Sequence, residues 1–325
     1  MERAVIIVCG EVILDVLRAP EQGLGERPAK FVGHPGGSPA NTAVALARLG
    51  SASGLLARIA TTSLGRLLRE HLEQNGVDLS YAISAHEPAS LAFVDVAANG
   101  SASYSFYVEG TADWQWTSDE FPDPLPDEVR IVHAGSIAAV TAPGRTAIAA
   151  MLEAAHSTRM VSFDPNIRPA LIGDAAAARV LIEQLIGSVH LVKASDEDAA
   201  WLYPGDPVDD VAARWLALGP SLVVVTSGPN GATGFTRVDR VERPAPPVDV
   251  VDTVAAGDSF MAGLLHFIER AELVGLVRGI GVGARDLARA LDYASAVAAL
   301  ACAKVGADPP YADEVDAFIS AVNES

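Results

Sequence analysis

Apolar residues along the chain fall into short β-branched runs that alternate with longer stretches rich in alanine and leucine. Several short runs are apolar at consecutive positions, which is typical of strands covered on both faces. These runs predict strands at Val5–Val8, Ser53–Ile59, Ile131–Ala134, Met160–Phe163, Leu191–Lys193 and Leu222–Thr226. Their alternation with helical stretches predicts an α/β fold with a mostly parallel central sheet and helices on both faces.

Helical periodicity appears between these runs and after the last of them. The predicted helices are Asn41–Leu49, Gly65–Asn75, Gly144–Ala155, Ala175–Ile186, Glu197–Leu202, Val208–Leu218, Gly257–Ala271, Ala284–Ala303 and Asp313–Val322. Two regions break the rhythm: Leu91–Val108 alternates around the turn Ala98–Ser101, as hairpins do, and Glu11–Gly33 is irregular. We interpret both as parts of a small antiparallel β lid, built from about residues 11–34 and 88–113, on a single domain of residues 1–325.

Composition narrows the class of protein. Half of the 325 residues are apolar and the formal net charge is −18, which argues against a basic nucleic-acid-binding face. No apolar run reaches the ~18 residues that a membrane span needs. Cys9 and Cys302 each lie in an apolar stretch, so we predict buried structural thiols in a reducing, cytoplasmic location. Because Glu11 follows the first apolar run closely, that run is predicted to be a strand rather than a signal peptide.

The segment around Asp258 combines small residues with an acidic one at the start of a predicted helix. Ala255, Ala256 and Gly257 precede Asp258 directly. Small residues let backbone N–H groups approach a ligand, and these groups together with the helix dipole favour negative charge. A carboxylate beside a transferring phosphate can accept the proton of an attacking hydroxyl. From the local pattern alone, an ordinary Asp cap on a helix is the alternative.

Two other segments place glycines next to predicted elements. Gly36 and Gly37 precede a helix whose first turn carries Asn41, so a ligand could meet both the backbone and an amide there. The strand that ends at Thr226 leads into a glycine-bearing turn, residues 227–231, where nucleotides commonly bind at a sheet edge. A capped glycine loop and a plain hairpin turn are the alternatives. Neither a Walker sequence nor a dinucleotide fingerprint is present, which disfavours a nicotinamide-dependent oxidoreductase.

Taken together in this order, the three segments resemble the PfkB-type carbohydrate kinases of the ribokinase-like superfamily. Gly36–Gly50 is similar to the N-terminal signature of that family and Val251–Leu265 to its C-terminal signature. The resemblance extends from Gly10 to about Pro310. It implies a three-layer α/β fold, ATP and Mg²⁺ as cofactors, K⁺ in several members, a sugar as the substrate, and a homodimer formed through the lid.

The resemblance also implies roles for individual residues. Asp258 would be the general base, and the backbone of residues 255–257 would form the anion hole. The sugar would be bound by Asp15, Gly36, Gly37, Asn41, Arg168 and Asp258. ATP would be bound by Lys193, Ser195, Thr226, Gly228, Gly231, Gly257 and Ser295, with adenine towards Tyr293–Val297. Metal ions would be held by Asp198 or Glu197 through water for Mg²⁺, and for K⁺ by the backbone of Asp252, Val254, Ala301, Lys304 and Gly306.

The choice of sugar depends on Phe163–Arg168, which resembles an Asp-x-Asn-x-Arg stretch of fructokinases and 2-keto-3-deoxygluconate kinases. Arg168 offers a fixed fork of donors to an oxygen-rich ligand, with a surface salt bridge as the alternative. Together with Glu11, Tyr107 and the stretch Gly110–Asp113, it favours D-fructose with its 6-hydroxyl as acceptor, as in bacterial fructokinases. Alternatives are a 2-keto-3-deoxygluconate kinase, a ribokinase or nucleoside kinase, and a non-catalytic sugar or nucleotide sensor.

Two departures from the family pattern are visible. The Asn-x-x-Glu motif of the family falls at Ser195–Asp198, in a form that fructokinase-like members often share. The stretch Ala60-Thr61-Thr62 stands where the family usually has Gly-x-Asp.

Overall fold

The protein is described by a computed structural model that covers residues 5–19, 27–96 and 102–324. Its strands are β1 (Val5–Cys9), β2 (Ile13–Arg18), β3 (Phe31–Gly36), β4 (Ala52–Leu56), β5 (Arg58–Ala60), β6 (Ile83–Ala85), β7 (Leu91–Val96), β8 (Ala102–Tyr107), β9 (Val129–Gly135), β10 (Met160–Asp164), β11 (Leu191–Ser195), β12 (Leu222–Thr226), β13 (Ala232–Phe235) and β14 (Arg240–Arg243). The turn Ala98–Ser101 predicted from the sequence lies outside the described residues.

The helices follow the predicted ones closely. They are α1 (Ser38–Arg48), α2 (Ser63–Gln74), α3 (Arg145–His156), α4 (Pro169–Ile172), α5 (Ala175–Ile186), α6 (Asp196–Leu202), α7 (Val208–Leu218), α8 (Ala256–Arg270), α9 (Val274–Arg278), α10 (Ala284–Cys302) and α11 (Ala312–Glu324). The short helices α4 and α9 were not predicted.

A central sheet of eight strands organises the molecule. Its order is β14-β13-β12-β11-β10-β9-β1-β4, with parallel pairing from β12 to β4 and antiparallel pairing of β13 and β14 at one edge. Successive residues of β1 point to opposite faces, so Ile6 and Val8 join one apolar cluster while Ile7 and Cys9 join another. The first cluster packs under α1, α2, α8 and α10, and the second under α3, α5, α6 and α7. This three-layer α/β arrangement confirms the predicted fold class.

One predicted strand is wrong. The apolar run Ser53–Ile59 divides at Ala57: β4 ends at Leu56 in the central sheet, and β5 pairs with β6 in a separate two-stranded sheet. Consecutive apolar residues could not reveal this change of partner, because both parts of the run are buried.

A second sheet of four strands, in the order β3-β2-β7-β8, corresponds to the predicted lid. Glu11–Gly33, which the sequence pattern left irregular, contains β2 and the first half of β3. Both hairpins, β2–β3 and β7–β8, are antiparallel, whereas β2 and β7 pair in parallel where the hairpins meet. Of the helices given above, none combines the length and the apolar character that crossing a membrane requires.

Candidate active site

Two cavities meet at the N-terminus of α8. The larger has a volume of about 580 Å³ and the smaller about 230 Å³. Thr253 lines both of them, Ala256 and Gly257 face the larger, and Ala255 and Asp258 face the smaller. Two ligands, one in each cavity, would therefore meet at the short segment before Asp258 that the sequence singled out.

The backbone at this junction turns sharply into the helix. Ala255 has φ 59°, in the left-handed region, and it is the residue immediately before α8. Glycine adopts this conformation without steric cost, whereas alanine costs about 1–2 kcal/mol there. The first N–H groups of a helix lack intrahelical acceptors. Here the Ala256 N–H makes a long 3.3 Å bond to the Thr253 carbonyl and the Ser259 N–H a 2.9 Å bond to the Ala255 carbonyl, which leaves the N–H groups of Gly257 and Asp258 without a backbone acceptor among the described residues. The junction can thus present N–H groups and a positive dipole end to an anion.

The carboxylate of Asp258 is buried and held by two donors from the N-terminal part of the chain. The Ser38 hydroxyl donates to Oδ1 at 2.6 Å, and the Asn41 amide donates to Oδ2 at 2.8 Å. Sequence reasoning identified Asn41 but missed Ser38. A signal was present, because positions i and i+3 lie on one face of a helix and Ser38 is three residues before Asn41 on α1.

The predicted sugar ligands Asp15, Gly37, Asn41 and Arg168 line the smaller cavity with Asp258. Burial raises the pKa of Asp15 to about 6, while the Arg168 guanidinium opposes that rise. Arg168 is half-buried and its Nη1 donates to Asn166 Oδ1 at 2.7 Å, so it is placed for the cavity rather than for a surface salt bridge.

The glycine pair brings the backbone close to these groups. A Cβ at Gly36 would lie 2.4 Å from Asp15 Oδ2, and one at Gly37 would lie 2.6 Å from the Glu11 carbonyl oxygen. Gly37 also has φ +101°. Any side chain at either position would therefore collide with groups that line the smaller cavity.

Two buried carboxyl groups near this cavity were not assigned roles from sequence. Glu11 lines the cavity and is 1% exposed; burial raises its pKa to about 7, opposed by bonds from the Ser136 hydroxyl and the Ala138 N–H. Asp113 accepts from the Val12 N–H at 2.8 Å and from the Ser90 hydroxyl at 2.6 Å, and burial raises its pKa to about 6. Asp113 thereby joins both segments of the second sheet at its base.

The larger cavity contains four of the predicted nucleotide-binding residues together with Gly257: Thr226, Gly228, Gly231 and Ser295. The segment 227–231 connects β12 to the antiparallel β13, so it is both a hairpin turn and part of the cavity wall. The α10 wall is formed by Ser295, Ala298, Ala299 and Cys302, which lie on one helix face. Tyr293 instead stacks on His266, with ring centroids 5.5 Å apart.

The prediction of two buried thiols is wrong for Cys302. Cys9 is buried, but Cys302 is only half-buried and lines the larger cavity, because it follows Ser295 by two helical turns on the same face. Its apolar sequence context reflects the other faces of α10, which pack on α8.

Lys193, Ser195 and Asp198 do not line either cavity. Ser195 and Asp198 form a reciprocal capping box on α6, and Asp198 Oδ1 also accepts from the Ile167 N–H at 2.9 Å. Both oxygens of this carboxylate are thus engaged by backbone donors, while Glu197 is exposed. Within residues 5–19, 27–96 and 102–324, no cluster of three or more His, Cys, Asp and Glu side chains could hold a metal ion.

The segments predicted to bind a monovalent cation lie side by side. Asp252 Oδ2 accepts from the Gly306 N–H at 2.9 Å, and Asp252 Oδ1 accepts from the Val254 N–H at 3.0 Å. The carbonyl of Ala301 accepts from the Lys304 N–H at 3.1 Å, while the Lys304 ammonium pairs with Glu314. The Asp252 side chain thus joins the loop before α8 to the segment after α10, and the Asp252 N–H also donates to the Cys302 carbonyl at the end of α10.

The departure at Ala60–Thr62 affects neither cavity wall. Thr62 is the N-cap of α2, and its hydroxyl accepts from the Gly65 N–H at 3.4 Å. A threonine can therefore fill the capping position where the family usually carries an aspartate.

Comparison with known proteins agrees with this geometry. The model of the family described as "pfkB family carbohydrate kinase" matches residues 3–314. The chain belongs to this family. It is similar to a fructokinase of Rhizobium leguminosarum bv. trifolii, with 38% identity over 269 residues, or 83% of this chain and 81% of that protein. It is also 32% identical to fructokinase-2 of Oryza sativa subsp. japonica over 312 residues, covering 95% and 91% of the two chains.

Solved structures of this pfkB-family fold superpose over nearly the whole chain. A fructokinase from Xylella fastidiosa with bound ATP has a TM-score of 0.88 and 27% identity, covering 98% of this chain and 99% of that one. A fructokinase double mutant from Vibrio cholerae O395, in a form with bound fructose, ADP and potassium ion, has a TM-score of 0.83 and 25% identity, covering 97% and 98%. The resemblance to PfkB-type carbohydrate kinases that the sequence indicated is thereby confirmed.

Proposed function

We propose that this chain transfers the γ-phosphate of ATP to the 6-hydroxyl of D-fructose. The observation that carries the proposal is the position of Asp258, whose carboxylate faces the smaller cavity one residue after Gly257, which faces the larger. Fructose would occupy the smaller cavity and ATP the larger. The 6-hydroxyl of fructose would then attack the γ-phosphate of ATP in line across the N-terminus of α8.

In this mechanism the Asp258 carboxylate accepts the proton of the 6-hydroxyl, and the hydrogen bonds from Ser38 and Asn41 orient it. The backbone N–H groups of residues 255–257 face the charge that develops on the phosphoryl group, which is the main contribution a protein makes to phosphoryl transfer. Mg²⁺ bound to ATP would neutralise part of the phosphate charge. Since the acidic side chains of the described residues form no cluster for it, its ligands would be mainly phosphate oxygens and water.

The charges around the smaller cavity favour a neutral sugar. Glu11, Asp15 and Asp258 contribute three carboxyl groups, against the single guanidinium of Arg168 among the lining residues. An acidic substrate such as 2-keto-3-deoxygluconate would meet net repulsion there. Carboxylates suit a polyol because each can accept hydrogen bonds from neighbouring hydroxyls.

The test is an ADP-release assay over fructose, 2-keto-3-deoxygluconate, ribose and nucleosides, with Asp258→Asn and Ser38→Ala beside the wild type. We expect a preference for fructose, and a loss in kcat of about 10²- to 10⁴-fold for Asp258→Asn because a general base is removed. Ser38→Ala should lower kcat less, by about 10-fold, since Asn41 still holds the carboxylate. Preference for another acceptor would displace fructose, and full turnover by Asp258→Asn would refute the assignment of the base. Binding of ligands without ADP release would indicate a sensor.

We also propose that residues 1–325 form one kinase domain that acts in the cytoplasm as a homodimer joined through the second sheet. Support comes from an aromatic row on that sheet: Phe31 and Tyr107 are 50% and 60% exposed, and each ring packs edge-on against Phe93. A monomer in analytical sedimentation would contradict the dimer.

A K⁺ requirement is proposed for the loop at Asp252, to be tested by replacing K⁺ with a bulky organic cation in the assay.

A further inference from the structure

A buried ion pair lies behind the anion-binding junction, outside both cavities. The Lys193 ammonium donates to Asp164 Oδ2 at 2.8 Å, and the two residues are 4% and 1% exposed. They stand on the neighbouring parallel strands β11 and β10. A buried pair contributes little net stability, because removing two charges from water costs about as much as their attraction returns. Its position calls for a role other than stability.

The ammonium of Lys193 is directed at the backbone of the junction. A Cβ at Gly257 would lie only 3.0 Å from Lys193 Nζ, so the charge rests directly against the first turn of α8. Burial opposes this charge, but the carboxylates of Asp164, Asp198 and Asp258 outweigh burial and raise the pKa of Lys193 above its usual value. The lysine therefore stays protonated, and its charge adds to the positive end of the helix dipole.

The partner carboxylate also reaches towards the smaller cavity. Asp164 Oδ1 accepts from the Asn166 N–H at 3.1 Å, and Asn166 has φ 37° in a tight turn. The side-chain oxygen of Asn166 in turn accepts from Arg168 Nη1 at 2.7 Å. The Asp164 carbonyl accepts from the Ser136 N–H at 2.8 Å, and both Ser136 and Arg168 line the smaller cavity.

We propose that Asp164 is a positioning residue that couples the two cavities. Its carboxylate fixes the Lys193 ammonium behind Gly257, where that charge strengthens the anion site, and it fixes the turn that presents Arg168 to the acceptor. This inference builds on the proposed kinase function. It predicts that the charge of Lys193 matters for the nucleotide, whereas the carboxylate of Asp164 matters for both substrates.

The test compares Lys193→Met, Asp164→Asn and the double variant that carries both changes. Each single variant leaves one buried group unpaired, so its melting temperature should fall, whereas the neutral double variant should recover most of the loss. Lys193→Met should lower kcat/KM for ATP about 100-fold, as removal of one donor from an oxyanion hole does, and the double variant should stay equally impaired. Asp164→Asn should affect both substrates: it should lower kcat/KM for ATP and also raise KM for fructose.

Asp113→Asn is the matched control, because it also neutralises a buried aspartate that accepts from a backbone N–H, but no lysine adjoins it. It should leave the affinity for ADP, measured by calorimetry without sugar, unchanged. If the double variant regains kcat/KM for ATP together with its melting temperature, the pair is only structural and the proposal is wrong.

Gly257→Ala keeps both charges and tests the same idea if the double variant does not fold. Its methyl group would press on the ammonium at 3.0 Å, so we expect kcat/KM for ATP to fall at least 10-fold with an unchanged melting temperature. Wild-type kcat/KM in this variant would overturn the proposal. If the wild type phosphorylates no sugar, the kinase function fails, but ADP calorimetry on the Lys193 and Asp164 variants still decides whether the ion pair supports anion binding.

Discussion

Replacing Gly36 by alanine should damage sugar binding while leaving the chemical step intact. Gly36 ends β3 beside β2, and its φ lies outside the left-handed region, so alanine suits the backbone. The new Cβ would lie 2.4 Å from Asp15 Oδ2, whereas ordinary contact begins at 3.4 Å. The Asp15 carboxylate must therefore withdraw by about 1 Å from the position that it holds in the smaller cavity.

That displacement is large on the scale of a hydrogen bond. A bond of about 2.8 Å that is lengthened by about 1 Å no longer counts as a hydrogen bond. Loss of one bond to a charged group costs about 1.5–3 kcal/mol, and each 1.4 kcal/mol is a factor of ten. We therefore expect KM for fructose to rise about 10- to 150-fold, with kcat nearly unchanged because Asp258 and its donors are not touched.

The assay is ADP release at saturating ATP over a range of fructose concentrations. Gly33→Ala is the matched control: it lies on the same strand, and its Cβ would meet Leu14 Cδ2 at 2.8 Å, the end of an alkyl chain that can rotate away. A wild-type KM in Gly36→Ala, or an equal rise in both variants, would refute the role given to Asp15.

Two further predictions concern pH and the hairpin turn. Because an ionised Asp15 is needed to accept hydroxyls, kcat/KM for fructose should decline as pH falls through about 6, and Arg168→Ala should move this decline to higher pH by removing the opposing charge. A decline at the same pH in both proteins would contradict this. Gly231→Ala would place a Cβ 2.1 Å from the Arg243 carbonyl oxygen at φ +98°, whereas Gly228→Ala meets nothing within 4 Å at φ +49°. In urea unfolding we expect losses of about 3 and 1 kcal/mol, with a raised KM for ATP in the first, and equal losses would be inconsistent with the clash.

Much of the central sheet was predictable from sequence because its strands are buried on both faces. The run Leu222–Thr226 has the predicted bounds, and Met160–Phe163 misses only the last residue of β10. The two antiparallel strands β13 and β14 escaped this reasoning: three of the four residues of β14 are charged, and β13 contains Gly234. Such strands are specified mainly by pairing with a neighbour, which a local pattern does not encode.

The candidate site likewise has a part that the sequence predicted and a part that it did not. Asp258 and Asn41 lie in segments whose small residues and spacing are informative by themselves. The buried pair of Asp164 with Lys193 joins positions 29 residues apart, and the bond from Ser38 to Asp258 joins positions 220 residues apart. Contacts of this kind depend on the strand order of the finished sheet, which single-sequence reasoning did not supply.

The long separation between Ser38 and Asp258 has a consequence for synthesis of the protein. Ribosomes add about 5–20 residues per second, so roughly 10 to 45 s pass between these two residues as the chain emerges. Meanwhile β9 can pair with β1, and β10, β11 and β12 can then join the growing sheet one after another, each beside the strand before it. The residues of α8 and α10 that line the larger cavity are made only after these strands. We therefore expect that a nascent chain cannot consume ATP until nearly all of it has been made.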